Sequence, residues 1–188
     1  TELTYLPFGH IVPQGDTTGI PVRLSDAMEL IDRTTDFIVS NQHLQLVDEL
    51  ASSKRFKNIK LLNYVDEYDP DVQKQFAAMT YRLSLDAYLV VFGWKEDFHM
   101  TYMDHVPAQK RAASYLQHVM KEFPKGRFLV AGHSKGGNLA TYACSYLPDS
   151  LFERVDAIYS YDAPGLNKAI IETGAINESR TSFTALSR

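Results

Sequence analysis

Short apolar runs recur along the chain and predict five strands. Runs of apolar, β-branched and aromatic residues bounded by turn residues are typical of strands. These runs cover residues 59–66, 74–83, 87–92, 127–131 and 155–161. The second and third runs flank Ser84-Leu85-Asp86, so this pair is expected to form a β-hairpin.

Between and before these runs, apolar residues return every three to four positions, which predicts helices. The predicted helices cover residues 26–32 with Ser25 as the cap, a segment that Asn41 caps, Pro107 to about Phe123, and Asn138 to about Tyr146. Strands that alternate with helices indicate an α/β domain with a mostly parallel sheet and helices on both faces. Residues 1–188 are expected to form this single domain, with 1–22 as an irregular covering segment rich in Pro and Gly.

One turn in this pattern carries a chemical signature. Gly132-His133-Ser134-Lys135-Gly136 lies between the strand at 127–131 and the helix that follows. G-x-S-x-G between a buried strand and a helix is typical of a nucleophile elbow, in which a strained turn exposes the serine hydroxyl. We therefore expect Ser134 to be a nucleophile, and the backbone N–H of Lys135 to donate to an oxyanion.

Composition and net charge limit the kinds of partner and the cellular location that we expect for this protein. The 188 residues carry a net charge of −4, which gives no electrostatic reason to expect nucleic acid or an anionic membrane as a partner. No apolar run approaches 18 residues and no signal peptide is evident, so we expect no integral membrane segment and a cytoplasmic location. Cys144, the single cysteine, is expected to be a buried core thiol.

Metal and phosphate sites are not expected. The acidic residues Asp66-Glu67 and Asp69-Pro70-Asp71 do not have the spacing of a calcium loop and are interpreted as a solvated turn. Ser134-Lys135-Gly136 reverses the order that a phosphate-binding loop requires. We therefore expect neither a metal nor an organic cofactor.

Asp162 is the candidate acid. It follows the strand at 155–161, and the carboxyl ends of parallel strands collect the chemistry of open sheets. Two alternatives stay open: Asp162 could only shape the turn before Pro164-Gly165, or the acid could lie one strand later.

The histidines do not complete a triad in the usual chain order of serine, acid and histidine, because none follows Ser134. His133 is expected to pack beside its strand, and His99 and His105 are expected at the surface or in support of the site. The remaining histidines are His10, His43 and His118.

Five segments carry a resemblance to a known family: Tyr5-Leu6-Pro7-Phe8, Arg55-Phe56-Lys57-Asn58-Ile59-Lys60-Leu61, Gly93-Trp94-Lys95-Glu96-Asp97-Phe98, Val106-Pro107-Ala108-Gln109-Lys110 and Gly132-His133-Ser134-Lys135-Gly136-Gly137-Asn138. They resemble the Mbeg1-like proteins, a bacterial family of unknown function that is similar in pattern to class 3 lipases. The resemblance implies an α/β-hydrolase fold with Ser134 as the nucleophile.

Two departures from the family pattern stand out. The resemblance implies a loop between Phe92 and Gly93, which in lipase-like enzymes supplies the second oxyanion donor, and here Phe92 runs directly into Gly93. We expect a missing stretch at this point, with a donor near Gly93. We also expect that a C-terminal portion beyond Arg188 supplies the catalytic histidine.

The sequence thus predicts a serine hydrolase that cleaves a small-molecule or lipid-like ester, or a thioester, through an acyl-enzyme on Ser134. The alternative is a non-catalytic hydrolase scaffold that acts as a binding or regulatory module. Acyl transfer to an acceptor other than water is a third option, since the same site serves both reactions. The sequence leaves the oligomeric state open.

Overall fold

A computed structural model describes residues 11–12, 14–30, 41–69, 74–93 and 107–166. Several predictions fall outside these ranges: the segment Trp94–Phe98, and His10, His99 and His105. The side chain of His43 and the residues after 166 also lie outside. Phe92 and Gly93, between which a missing stretch is expected, are consecutive residues of the strand Ala87–Gly93.

The described residues form a six-stranded sheet in which the strands follow one another in chain order. The elements are β1 (Val22–Arg23), α1 (Leu24–Leu30), α2 (Asn41–Ser52), β2 (Lys60–Asp69), β3 (Lys74–Arg82), β4 (Ala87–Gly93), α3 (Pro107–Glu122), β5 (Arg127–His133), α4 (Lys135–Ser145), α5 (Asp149–Phe152) and β6 (Val155–Tyr161). All five predicted strands and all four predicted helices are present. The two-residue β1 and the four-residue α5 were not predicted.

The sheet is mixed, which corrects the prediction of a mostly parallel sheet. β1 to β4 pair antiparallel, whereas β4, β5 and β6 pair parallel. The predicted hairpin between β3 and β4 is confirmed. Antiparallel neighbours need only short connections, while each parallel pair needs a crossover, and α3 and α4 provide the two crossovers. The parallel half of the sheet is therefore the half that carries the serine turn.

Helices cover both faces of the sheet, as predicted. One face packs against α3 and α4 through residues such as Phe92, Leu116 and Leu139. The other face packs against α1 and α2 through residues such as Leu61, Met28 and Val47. Burial of these apolar side chains on both sides supplies the main stabilisation of a sheet of this kind.

The start of α1 differs from the prediction. The helix begins at Leu24, so Ser25 lies inside its first turn and does not cap it. The Ser25 hydroxyl instead lies 3.1 Å from Asp26 Oδ1. Leu24 is buried and its amide donates to Ile59 O, which ties the helix start to the chain just before β2.

Described residues of the N-terminal segment lie beside β2 and hydrogen-bond to it. Gly15 N donates to Tyr64 O at 3.0 Å, and Gly19 N donates to Leu62 O at 3.1 Å. The buried Asn63 side chain donates to Gly15 O at 2.7 Å. Val22, the last residue of the predicted segment, forms β1 together with Arg23.

Glu67 corrects the interpretation of the acidic cluster as a solvated turn. It lies in β2, is half-buried and accepts hydrogen bonds from Arg111 of α3, one of them at 2.8 Å. The same guanidinium also pairs with Asp16 of the N-terminal segment and lies over the Phe76 ring. One arginine thus joins three parts of the chain at one end of the sheet, because its planar fork can hold two carboxylates.

Two buried tyrosine hydroxyls provide a matched test of this core. The Tyr115 hydroxyl donates to Asn63 Oδ1 at 2.9 Å and lies 2.7 Å from Thr80 Oγ1. The Tyr81 hydroxyl is buried and has no hydrogen-bond partner within the described part of the chain. We expect Tyr115→Phe to lower the free energy of unfolding by about 1–3 kcal/mol, because it leaves a buried amide oxygen unpaired.

Tyr81→Phe should leave the free energy of unfolding unchanged or raise it, because the removed hydroxyl has no bond to lose. Urea titrations of the two variants followed by circular dichroism measure both changes. Equal losses in the two variants would contradict this assignment of hydrogen bonds.

Candidate active site

Ser134 occupies a strained turn between β5 and α4. Its dihedrals are φ 53° and ψ −124°, close to about +60° and −120°, the values at the first central position of a type II′ turn. Glycine is the usual residue there, since a Cβ makes these angles unfavourable. Ser134 is exposed and its side chain makes no capping hydrogen bond to α4.

The glycines around Ser134 are required by close backbone contacts. A Cβ on Gly132 would lie 2.2 Å from Gly136 C and O, so β5 and the first turn of α4 touch at this point. A Cβ on Gly136 would lie 2.3 Å from Phe92 O, and one on Gly137 would lie 2.8 Å from Ser160 Oγ. The first turn of α4 is therefore wedged between the ends of β4 and β6.

Backbone hydrogen bonds fix the turn on both sides. Ser134 N donates to Tyr161 O at 2.8 Å, which extends the parallel pairing of β5 with β6 by one residue. Ser134 O accepts from Gly137 N at 3.0 Å and from Asn138 N at 3.3 Å. These bonds leave the serine at the carboxyl edge of the parallel strands, where the partial positive charge of the helix N-terminus is directed.

Of the two positions predicted as oxyanion donors, Lys135 lies in this turn and Gly93 lies on the adjacent strand. Lys135 is the first residue of α4, and Gly93 is the last residue of β4. Gly93 is buried, and its Cα would lie 3.4 Å from a Cβ placed on Gly136. The backbones of β4 and α4 thus converge beside Ser134.

Asp162 lies at the same edge. It follows β6 directly and has a positive φ of 47°, which Ser134 alone shares among the non-glycine residues that the structure describes. Its side chain is 63% exposed, and Oδ2 lies 3.8 Å from His133 Nε2. Asp162 therefore lies close to His133, the residue that directly precedes Ser134.

His133 does not pack beside its strand as predicted. Its side chain is 53% exposed and faces Asp162, which directly follows the neighbouring strand β6. The physical reason is that β5 and β6 both end here, so the last side chain of each strand extends past the packed part of the sheet. His118 lies on α3, where its Nε2 is 3.7 Å from Glu122 Oε1.

Cys144 is a buried core thiol, as predicted. It lies on α4 with no exposed surface, and burial raises the pKa of its thiol well above the usual value. A thiol held in its neutral form is a poor nucleophile. Cys144 therefore contributes packing and does not compete with Ser134.

Sequence reasoning missed two polar residues beside the serine turn. Gln109 of α3 and Asn138 of α4 are buried, and Gln109 Nε2 donates to Asn138 Oδ1 at 2.9 Å. Asn138 Nδ2 in turn donates to Pro164 O and Gly165 O, each at 3.1 Å. The signals in the sequence are that both residues occur in segments that carry the family resemblance and that each amide occurs on the apolar face of its helix.

The described ranges hold neither a metal-binding cluster nor a membrane-spanning helix. No group of three or more His, Cys, Asp or Glu residues there could hold a metal ion. No helix in those ranges has both the length and the apolar character needed to cross a membrane.

Comparison with known proteins identifies a family. The Mbeg1-like family profile matches residues 50–185, which include β2 to β6 and the serine turn. No curated protein and no solved structure matches the chain significantly. Because the match covers well over half of the 188 residues, the chain belongs to the Mbeg1-like family.

Proposed function

We propose that this protein is a serine hydrolase of the α/β-hydrolase type that cleaves a carboxylic ester or thioester. The observation that carries the proposal is the backbone of Ser134, which is held at φ 53° on an exposed strand-to-helix turn. A non-glycine residue in such a region costs about 1–3 kcal/mol, and glycine would avoid the cost. A turn that only connected two elements would gain nothing from a serine here, whereas a nucleophile requires its hydroxyl.

In the proposed reaction, Ser134 Oγ attacks the carbonyl carbon of the ester and its proton passes to a histidine base. In this fold the base follows the acid along the chain, whereas all six histidines of these 188 residues precede Ser134, so the proposed base lies outside them. The tetrahedral intermediate places its oxyanion beside the first turn of α4, where the Lys135 amide and a donor near Gly93 would stabilise it. The intermediate then expels the alcohol or thiol, which takes the proton from the histidine.

Water then hydrolyses the resulting acyl-enzyme in a second half-reaction, in which water attacks and the serine leaves. The base removes a proton from water, the hydroxide adds to the acyl carbon, and Ser134 Oγ leaves with the returned proton. The substrate class is a small-molecule or lipid-like ester. No metal or organic cofactor takes part in these steps.

We assign the acid of the triad to Asp162. Its position directly after β6, its exposure and its strained backbone support this role, since strained residues cluster at active sites. An acid on a later strand is the competing assignment. The non-catalytic scaffold is the competing function.

The decisive experiment is labelling of the full-length protein with a fluorophosphonate probe, because such probes react only with activated serines. We expect one probe per molecule, mapped to Ser134 by peptide mass spectrometry. Ser134→Ala should abolish the label. Ser160→Ala is the matched control, because Ser160 lies at the end of the adjacent strand and is not part of the proposed chemistry.

Labelling that persists in Ser134→Ala, or a folded wild-type protein that takes up no probe, would refute the hydrolase. The second result would favour the scaffold, because the turn would then be present without an activated hydroxyl.

A further inference from the structure

Asn138 connects the nucleophile to the turn that carries the candidate acid. Its backbone N–H donates to Ser134 O at 3.3 Å, and its side chain donates to the consecutive carbonyls of Pro164 and Gly165. Those carbonyls lie two and three residues after Asp162. One residue thus links both sides of the proposed active site without reaching the surface, since only 3% of it is exposed.

The hydrogen bonds define the orientation of the Asn138 amide. Only an NH₂ group can donate to two carbonyl oxygens, so the Asn138 nitrogen faces the turn and the Asn138 oxygen faces Gln109. The Gln109 nitrogen then has to be the donor to that oxygen. The Gln109 and Asn138 side chains are themselves buried, where an unpaired amide would be costly.

The turn needs such support because Asp162 is strained. A non-glycine residue with φ 47° is stable only where the surrounding structure determines the backbone more strongly than its own preference. The bonds from Asn138 fix the chain just after Asp162, and pairing of β6 with β5 fixes the chain just before it. Asp162 is held between these two restraints.

We propose that Asn138 is a positioning residue that holds the Asp162 turn in register with Ser134, with Gln109 holding Asn138 in turn. This inference rests on the proposed serine hydrolase and assigns it two further residues. Neither residue contacts the reacting atoms. Their effect is on the geometry between nucleophile and acid, and a displacement of about 1 Å in such geometry can cost about 10²-fold in rate.

The test is Asn138→Leu, which keeps a similar shape and removes both donations. We expect kcat for a p-nitrophenyl ester to fall by about 10²-fold with little change in KM, because the loss concerns only transition-state geometry. The rate of fluorophosphonate labelling should fall in parallel. Amide hydrogen exchange in the peptide that contains residues 160–166 should become faster.

Ser145→Ala is the matched control. Ser145 is also a buried polar residue of α4, but its hydroxyl donates to Thr141 O within the same helix and does not reach the turn. We expect this variant to keep the wild-type kcat and the wild-type exchange of residues 160–166.

If Asn138→Leu does not fold, Gln109→Met provides the same test. It removes the bond to Asn138 Oδ1 and leaves both donations from Asn138 in place, so we expect a smaller fall in kcat of about 3- to 10-fold, again without a change in KM. A folded Asn138→Leu or Gln109→Met with wild-type kcat would overturn the positioning role. An unreactive wild-type protein would instead refute the hydrolase itself, so the two failures can be distinguished.

Discussion

Ser134→Ala should lower kcat for ester hydrolysis by at least about 10⁴-fold while the protein remains folded. The substitution removes the attacking oxygen, so only binding and the oxyanion donors at α4 could still accelerate the reaction. The alanine keeps the Cβ, so the strained backbone at φ 53° and the bonds that fix the turn are unchanged. Initial rates with a p-nitrophenyl ester, measured beside circular dichroism spectra of both proteins, give the comparison.

Ser134→Gly separates the effect of losing the nucleophile on activity from the effect of backbone strain on stability. It should be as inactive as Ser134→Ala, but its free energy of unfolding should be higher than that of Ser134→Ala by about 1 kcal/mol. Glycine relieves a strain of about 1–3 kcal/mol at a positive φ, and its greater freedom in the unfolded chain offsets part of this gain. A glycine variant no more stable than the alanine variant would contradict the strain. A fall in kcat much smaller than about 10⁴-fold would contradict the assignment of Ser134 as the nucleophile.

The serine turn could be predicted from sequence because its determinants are local. Gly132, Ser134 and Gly136 stand within five residues, and their spacing already demands a tight strand-to-helix turn. The contacts that require those glycines lie within the same segment or at the adjacent strand ends. The residues of such a short motif are therefore enough to predict the turn that they form.

Strand pairing was harder to predict because it is not local. Apolar runs identified β2, β3 and β4, but an apolar run predicts only that a strand is present and not which strand it pairs with. The turn between β3 and β4 was interpreted as a hairpin connection. The turn at Asp69-Pro70-Asp71 was interpreted only as solvated and not as the connection of an antiparallel pair, so the extent of parallel pairing was overestimated.

The buried amides were missed for a related reason. Gln109 and Asn138 are separated by 29 positions, and Asn138 lies 26 and 27 positions from the carbonyls that it binds. Amide side chains on helices are mostly exposed, so the residue types alone do not indicate burial. Only the packing of α3 against α4 brings these groups together.

Gly132→Ala should be the most destabilising of the single substitutions at the turn, with a loss of about 3 kcal/mol or more in the free energy of unfolding. The new Cβ would lie 2.2 Å from Gly136 C and O and 2.6 Å from Gly137 N. These are backbone atoms in the first turn of α4, so no side-chain rotation can relieve the overlap. Urea denaturation followed by circular dichroism measures the loss.

Gly165→Ala is the matched control, because a Cβ there meets nothing within 4 Å and its φ lies outside the left-handed region. We expect its free energy of unfolding to stay within about 0.5 kcal/mol of wild type. A Gly132→Ala protein as stable as this control would mean that α4 does not contact β5 at the turn. The strained geometry of Ser134 would then lose its structural cause, because the same contact forces the chain to reverse within one residue.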